Sequence, residues 1–119
     1  MGENRYMDIR IWTNNLIYII EIQGELNFAD SNKLKDLVMK MIEKKVERFI
    51  IDAGKIKAID SSGIGAFIYI SSNIKKLNLS LAISNVSEAV EQVIDKIKLA
   101  GYFPIFKSTH EAIQKLSEK

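Results

Sequence analysis

The sequence predicts a single α/β domain, with a mixed, mostly parallel sheet of about five strands, an N-terminal hairpin and about four helices packed against it. Three observations carry this. From residue 16 onward, isoleucine- and valine-rich runs alternate with amphipathic stripes, the pattern of parallel strands joined by helical crossovers. The chain has 119 residues, 47% of them hydrophobic, enough to build one core. No repeat, linker or low-complexity stretch divides it, so residues 1–119 read as one domain with an ordered core over 7–117.

The elements follow in order. Ile9, Ile11 and the run Leu16 to Ile22 flank Asn14-Asn15, which reads as a hairpin. Gly24-Glu25-Leu26-Asn27 ends the second strand. Asp30 or Ser31 is then expected to cap a helix with an apolar stripe of Leu34, Leu37, Val38, Met41 and Ile42. Arg48-Phe49-Ile50-Ile51-Asp52 is a short, buried-type strand, followed by a loop tied down by Ile56 and Ile59. Asp60 opens the second helix. Leu79 to Ile83 is the next strand. Val86, Val90, Val93, Ile94 and Ile97 mark a third helix, with Gly101 as its C′ residue. Phe103 to Phe106 forms a last strand whose Pro104 suits an edge, and Ser108-x-x-Glu111 has the spacing of a capping box for a terminal helix.

Composition narrows the function classes. There is no cysteine, so disulfides and thiolate metal sites are excluded. The net charge of +2 comes with spread lysines, which argues against direct nucleic-acid binding. No apolar run reaches the roughly 20 residues of a membrane span, and the polar stretch Met1 to Asp8 is no signal peptide, so a cytoplasmic protein is expected. No glycine-rich phosphate loop occurs, and no cofactor is expected. Met39 and Met41 fit core packing. The outward lysines Lys33, Lys35, Lys40, Lys44 and Lys45 fit a solvated face that can steer an acidic partner.

Asp60-Ser61-Ser62-Gly63 is the segment that breaks local rules. Two glycines, Gly63 and Gly65, fall in the first turn of a helix, where each costs about 0.5–1 kcal/mol relative to alanine. At 100° per residue, Ile64, Phe67, Ile68, Ser71 and Ile74 turn toward the core, while Gly65, Ala66, Tyr69, Ser72 and Asn73 face outward beneath Ser61 and Ser62. A helix cap explains Asp60, and glycines can ease helix–strand packing. Neither explains an exposed face of small, uncharged residues with one tyrosine anchor, which suits the close approach of a partner.

Phe49-Ile50-Ile51-Asp52 followed by Ile59-Asp60-Ser61-Ser62-Gly63-Ile64-Gly65 resembles the signature of the STAS domain family, especially its free-standing anti-sigma factor antagonists. Gly24-Glu25-Leu26-Asn27 and the order of elements fit as well. The resemblance implies a non-enzymatic, partner-switching phosphoprotein. Ser61 maps onto the serine phosphorylated by an anti-sigma factor that is also a serine kinase. The unphosphorylated form binds that kinase and releases a sigma factor, and a phosphatase acting on phosphorylated Ser61 resets the switch. Asp60, Ser62, Gly63 and Gly65 would shape the contact, with Asn27, Ala66 and Tyr69 at its edge. The family often has aspartate where Asn27 stands, a residue that helps the kinase or its binding. Other readings are a non-switching STAS scaffold, a transporter-associated STAS subunit, or a small-ligand or lipid module at the same surface.

Two catalytic readings are weaker. A serine hydrolase would depend on the single histidine, His110, and the glycine of a nucleophile elbow is missing before Ser61 and Ser62. Asp52 ends a central strand like a phospho-acceptor aspartate, with Ser84 and Lys107 as supporting groups. No acidic doublet follows the first strand to hold Mg²⁺, so Asp52 reads as a cap of the following turn or a brace for the loop before Asp60.

Overall fold

A computed structural model describes residues 7–96, 101 and 103–118. Within them lie five strands and four helices: β1 (Asp8–Asn14), β2 (Ile17–Leu26), α1 (Phe28–Glu43), β3 (Arg48–Ile59), α2 (Ser61–Lys76), β4 (Ser80–Ser84), α3 (Glu88–Lys96), β5 (Ile105–Phe106) and α4 (Thr109–Ser117). The strands form one sheet in the order β1-β2-β3-β4-β5. The β1–β2 pair is antiparallel and the other pairs are parallel. This is the fold class that the alternation of strand and helix patterns predicts.

The two faces of the sheet bury different partners. Side chains alternate along a strand, so Ile20, Ile22, Phe49, Ile51, Leu81 and Ile83 share one face, covered by the apolar stripes of α1, α2 and α3. Ile17, Ile19, Ile50 and Ala82 point the other way and meet Ala112 and Leu116 of α4. Phe67 of α2 and Phe103 meet edge to face, with ring centroids 6.2 Å apart, on the three-helix side.

Four expectations are revised. The hairpin turns at Asn15-Leu16 rather than Asn14-Asn15, because Asn14 still pairs with Ile17 and both turn residues have positive φ. Helix α1 is capped by Asn27, not by Asp30 or Ser31. Asn27 accepts the Asp30 N–H at 3.2 Å, and the Ser31 hydroxyl is already turned back onto the Asn27 carbonyl at 2.6 Å. Strand β3 does not stop at Asp52. Beyond it, β2 still offers a ladder, and Lys55, Ile56, Ala58 and Ile59 pair with Gln23 through Leu26 across two register shifts. Gly24, at φ 98°, sits at the second shift, in a conformation that favours glycine. Helix α3 begins at Glu88, after Ser87 accepts the Val90 N–H and donates to the Ile56 carbonyl.

At the far edge, β5 keeps only Ile105 and Phe106 after Pro104. Ser108 caps α4 by accepting the Glu111 N–H at 3.1 Å. Ile97 lies outside the described residues, as does the segment that would show whether Gly101 ends α3.

Candidate functional site

The parallel pairing of β2 with β3 sets Leu26 beside Ile59, so both strands end level. Each is followed at once by a helix, and the two caps, Asn27 and Asp60, have nearly the same backbone angles (φ −105° for both, ψ −170° and −175°). The Asp60 N–H reaches the Leu26 carbonyl at 3.4 Å, tying one cap to the other strand. Asp60 Oδ1 accepts the Gly63 N–H at 3.0 Å, as Asn27 Oδ1 accepts that of Asp30. Two helix N-termini therefore open side by side on one rim, each with partial positive charge. A recess of about 150 Å³ between them is lined by Glu25, Leu26, Asn27, Ala58, Ile59 and Asp60.

Ser61 is the first residue of α2 and is exposed, while Ser62 is half-buried. Asn27 is neutral, so Asp60 is the single carboxylate among the two caps. As a cap, asparagine serves as well as aspartate, and the exchange changes charge rather than fold.

The two glycines of the motif do different things. A Cβ on Gly63 would lie 2.5 Å from Ile59 Cγ1 and 2.8 Å from the Leu26 carbonyl oxygen. Gly63 is thus what lets α2 leave the sheet at this angle. Gly65 is exposed, and a Cβ there would meet nothing within 4 Å.

The outward face of α2 is narrower than the helical projection predicts. Ala66 and Ile70 are completely buried, and Gly63 is buried beside them, because α2 packs on α1 as well as on the sheet. Ile68, expected in the core, is half-buried. Gly65, Tyr69 and Ser72 are exposed, and Asn73, half-buried, donates back to the Tyr69 carbonyl at 2.9 Å. Lys35 of α1 places its Nζ 5.2 Å from the centre of the Tyr69 ring, which steadies that ring.

Phe28 belongs to no motif of the sequence. It follows Asn27 as the first residue of α1 and is 69% exposed on the same rim as Ser61. Its signal in the sequence is a large aromatic six residues ahead of Leu34, where the buried stripe begins, and only the true start of α1 makes it visible.

A second polar cluster lies where the β3–β4 pairing ends, at Asp52 in mid-β3 and Ser84 at the end of β4. Asp52 accepts from the Gly54 N–H (3.0 Å), Thr109 Oγ1 (3.2 Å) and Asn85 Nδ2 (3.3 Å), and the fully buried Ser84 hydroxyl meets Thr109 Oγ1 at 2.7 Å. These bonds hold the start of α4 against the sheet. No turn follows Asp52, because β3 continues to Ile59, so the expected turn cap is replaced by a brace within the strand: its carboxylate holds Gly54, Asn85 and Thr109.

Together, fold and rim define a small α/β domain that presents paired helix starts and an exposed serine at the carboxyl ends of parallel strands. This chain belongs to the STAS domain family, whose family model matches residues 8–112. Among its relatives, a Bordetella bronchiseptica protein named as a candidate anti-sigma factor antagonist, BtrV, is 21% identical over 91 residues, covering 76% of this chain and 78% of BtrV. Sulfate transporter 3.1 of Arabidopsis thaliana is 27% identical over 96 residues, covering 71% of this chain, which spans 15% of the transporter. The anti-sigma factor antagonist SpoIIAA of Bacillus shares the fold. Its unphosphorylated form superposes with a TM-score of 0.79 at 18% identity, covering 94% of this chain and 98% of SpoIIAA. Its phosphorylated form superposes with a TM-score of 0.72 at 16% identity, covering 92% and 99%.

Proposed function

We propose that this protein is a cytoplasmic anti-sigma factor antagonist, a single-domain, non-enzymatic switch whose phospho-acceptor is Ser61. The observation that carries the reading is the position of Ser61: exposed, first in α2, and beside the N-terminus of α1. The unphosphorylated rim binds an anti-sigma factor serine kinase and frees a sigma factor. Phosphorylation of Ser61 ends that binding, and a phosphatase restores it. Asn27, Asp60, Ser62, Gly65 and Tyr69 form the contact, while Gly63 and Ala66 shape it from beneath.

The electrostatics favour a switch that leaves the fold intact. A phosphate on Ser61 adds about −1.5 to −2 charges at neutral pH. The N-terminus of α2 offsets this by about 0.3–1 kcal/mol, with that of α1 alongside. A partner fitted to the neutral Ser61 hydroxyl then meets a dianion beside Asp60, and like-charge contact costs several kcal/mol. At about 1.4 kcal/mol per tenfold, a hundredfold loss of affinity follows from surface charge alone.

Intact mass after incubation with the candidate kinase and ATP tests the site. Wild type should gain one phosphate and Ser61→Ala none. Equal phosphorylation of the two proteins would exclude Ser61 as the acceptor. Ser61→Asp should weaken kinase binding with the thermal midpoint nearly unchanged.

The match to a sulfate transporter supports a second reading, a STAS subunit serving a membrane transporter. Co-purification of a transporter in place of an ATP-binding kinase would favour it.

A further inference from the structure

The opposite end of the molecule carries an unusual surface. Leu16 is 82% exposed and takes the second position of the hairpin turn at φ 65°, where glycine is the common residue and a leucine is strained. Lys45, just past the C-cap of α1, is also left-handed, at φ 73°. Leu77, the C-cap of α2, is 48% exposed. The register places these groups together, because Ile17, Arg48 and Ser80 begin three adjacent strands.

Two shallow recesses separate the leucines. One is lined by Leu16, Tyr18 and Lys44, the other by Ile42, Leu77 and Leu79, and Lys45, Val46 and Glu47 form the wall between them. Lys44, Lys45 and Arg48 line them and Lys76 lies in the last turn of α2, just before Leu77, against the carboxylates Glu43 at the end of α1 and Glu47. Lysines at helix C-termini complement the helix dipoles, which accounts for part of this charge. It does not account for exposed leucines, one of them held in a strained turn, in the middle of it.

We propose that this end docks on an anionic lipid surface, Leu16 and Leu77 entering the headgroup layer and the lysines pairing with lipid phosphates. Charge complementarity identifies the occupant as anionic. The dividing wall favours a lipid surface over a polypeptide, because no continuous groove joins the two leucines, whereas lipid wets both at once. Strand β2, ten residues long, separates this end from Asn27 by about 30 Å. Docking therefore leaves the Ser61 rim facing away and open, and it does not depend on the function assigned to that rim.

Flotation of the full chain with phosphatidylcholine vesicles, alone or with about one third phosphatidylglycerol, tests this. Binding should require the anionic lipid and fall with added salt. Leu16→Asn and the double variant Lys44→Gln/Lys45→Gln should each lower it by about tenfold or more. Asparagine tolerates the left-handed turn, so Leu16→Asn should keep or raise the thermal midpoint, separating lost docking from lost folding. No binding to anionic vesicles at low salt would overturn the proposal. So would binding that both variants retain, or binding to polyglutamate but not to vesicles.

Discussion

Replacing Gly63 with alanine tests whether the first glycine of the motif is structural. The new Cβ would sit 2.8 Å from the Leu26 carbonyl oxygen, closer than real Cβ atoms come, and 2.5 Å from Ile59 Cγ1. The isoleucine can rotate, but the carbonyl belongs to the sheet and also receives the Asp60 N–H. The first turn of α2 must therefore lift, stretching the bond from the Gly63 N–H to Asp60. Overpacking of this kind costs about 1–3 kcal/mol, and the helix propensity of alanine returns at most about 0.5–1. A net loss of about 1–2 kcal/mol is expected. Gly65→Ala has the same chemistry without the clash and should gain about 0.5–1 kcal/mol. Urea denaturation with unchanged m-values measures both. Wild-type stability of Gly63→Ala, or a loss of stability in Gly65→Ala, would refute a structural role for Gly63 alone.

Three further outcomes follow from named contacts. Phe28→Ala should weaken binding of the anti-sigma kinase by about tenfold or more while leaving the denaturation midpoint in place, as expected of an exposed aromatic anchor. A titration showing wild-type affinity would remove Phe28 from the interface. Asp52→Ala strands the donors of Gly54, Asn85 and Thr109 and should cost about 2 kcal/mol, with α4 amides exchanging faster by hydrogen exchange. Ser71 has a buried hydroxyl without a hydrogen-bond partner, so Ser71→Ala should be neutral or stabilising by about 1 kcal/mol in chemical denaturation.

Much of this protein is set by interactions three or four residues long, and these are legible in the sequence. The caps at Asp60 and Ser108 are local hydrogen bonds between a side chain and the N–H three residues on. The stripes of α1 and α2 and the edge role of β5 also follow from spacing and from one proline. The start of α1 was misplaced because Asn27, Asp30 and Ser31 are all acceptable caps. The choice among them depends on where β2 stops beside β3, a contact about thirty residues away in sequence.

Tertiary structure decided what pairwise distance alone can decide. A helical projection assigns each residue an angle but not the width of the buried arc. Packing on both the sheet and α1 widens that arc until it takes in Ala66. Gly63 and Gly65 are indistinguishable as letters, and only the approach of Leu26 and Ile59 makes the first obligatory and leaves the second free. The sequence by itself determined that an α/β domain opens a helix at Asp60 and offers Ser61 there. That a second helix N-terminus stands beside it, capped by a neutral Asn27 and carrying an exposed Phe28, came from strand register. Register is a sum of long-range contacts that no local pattern encodes.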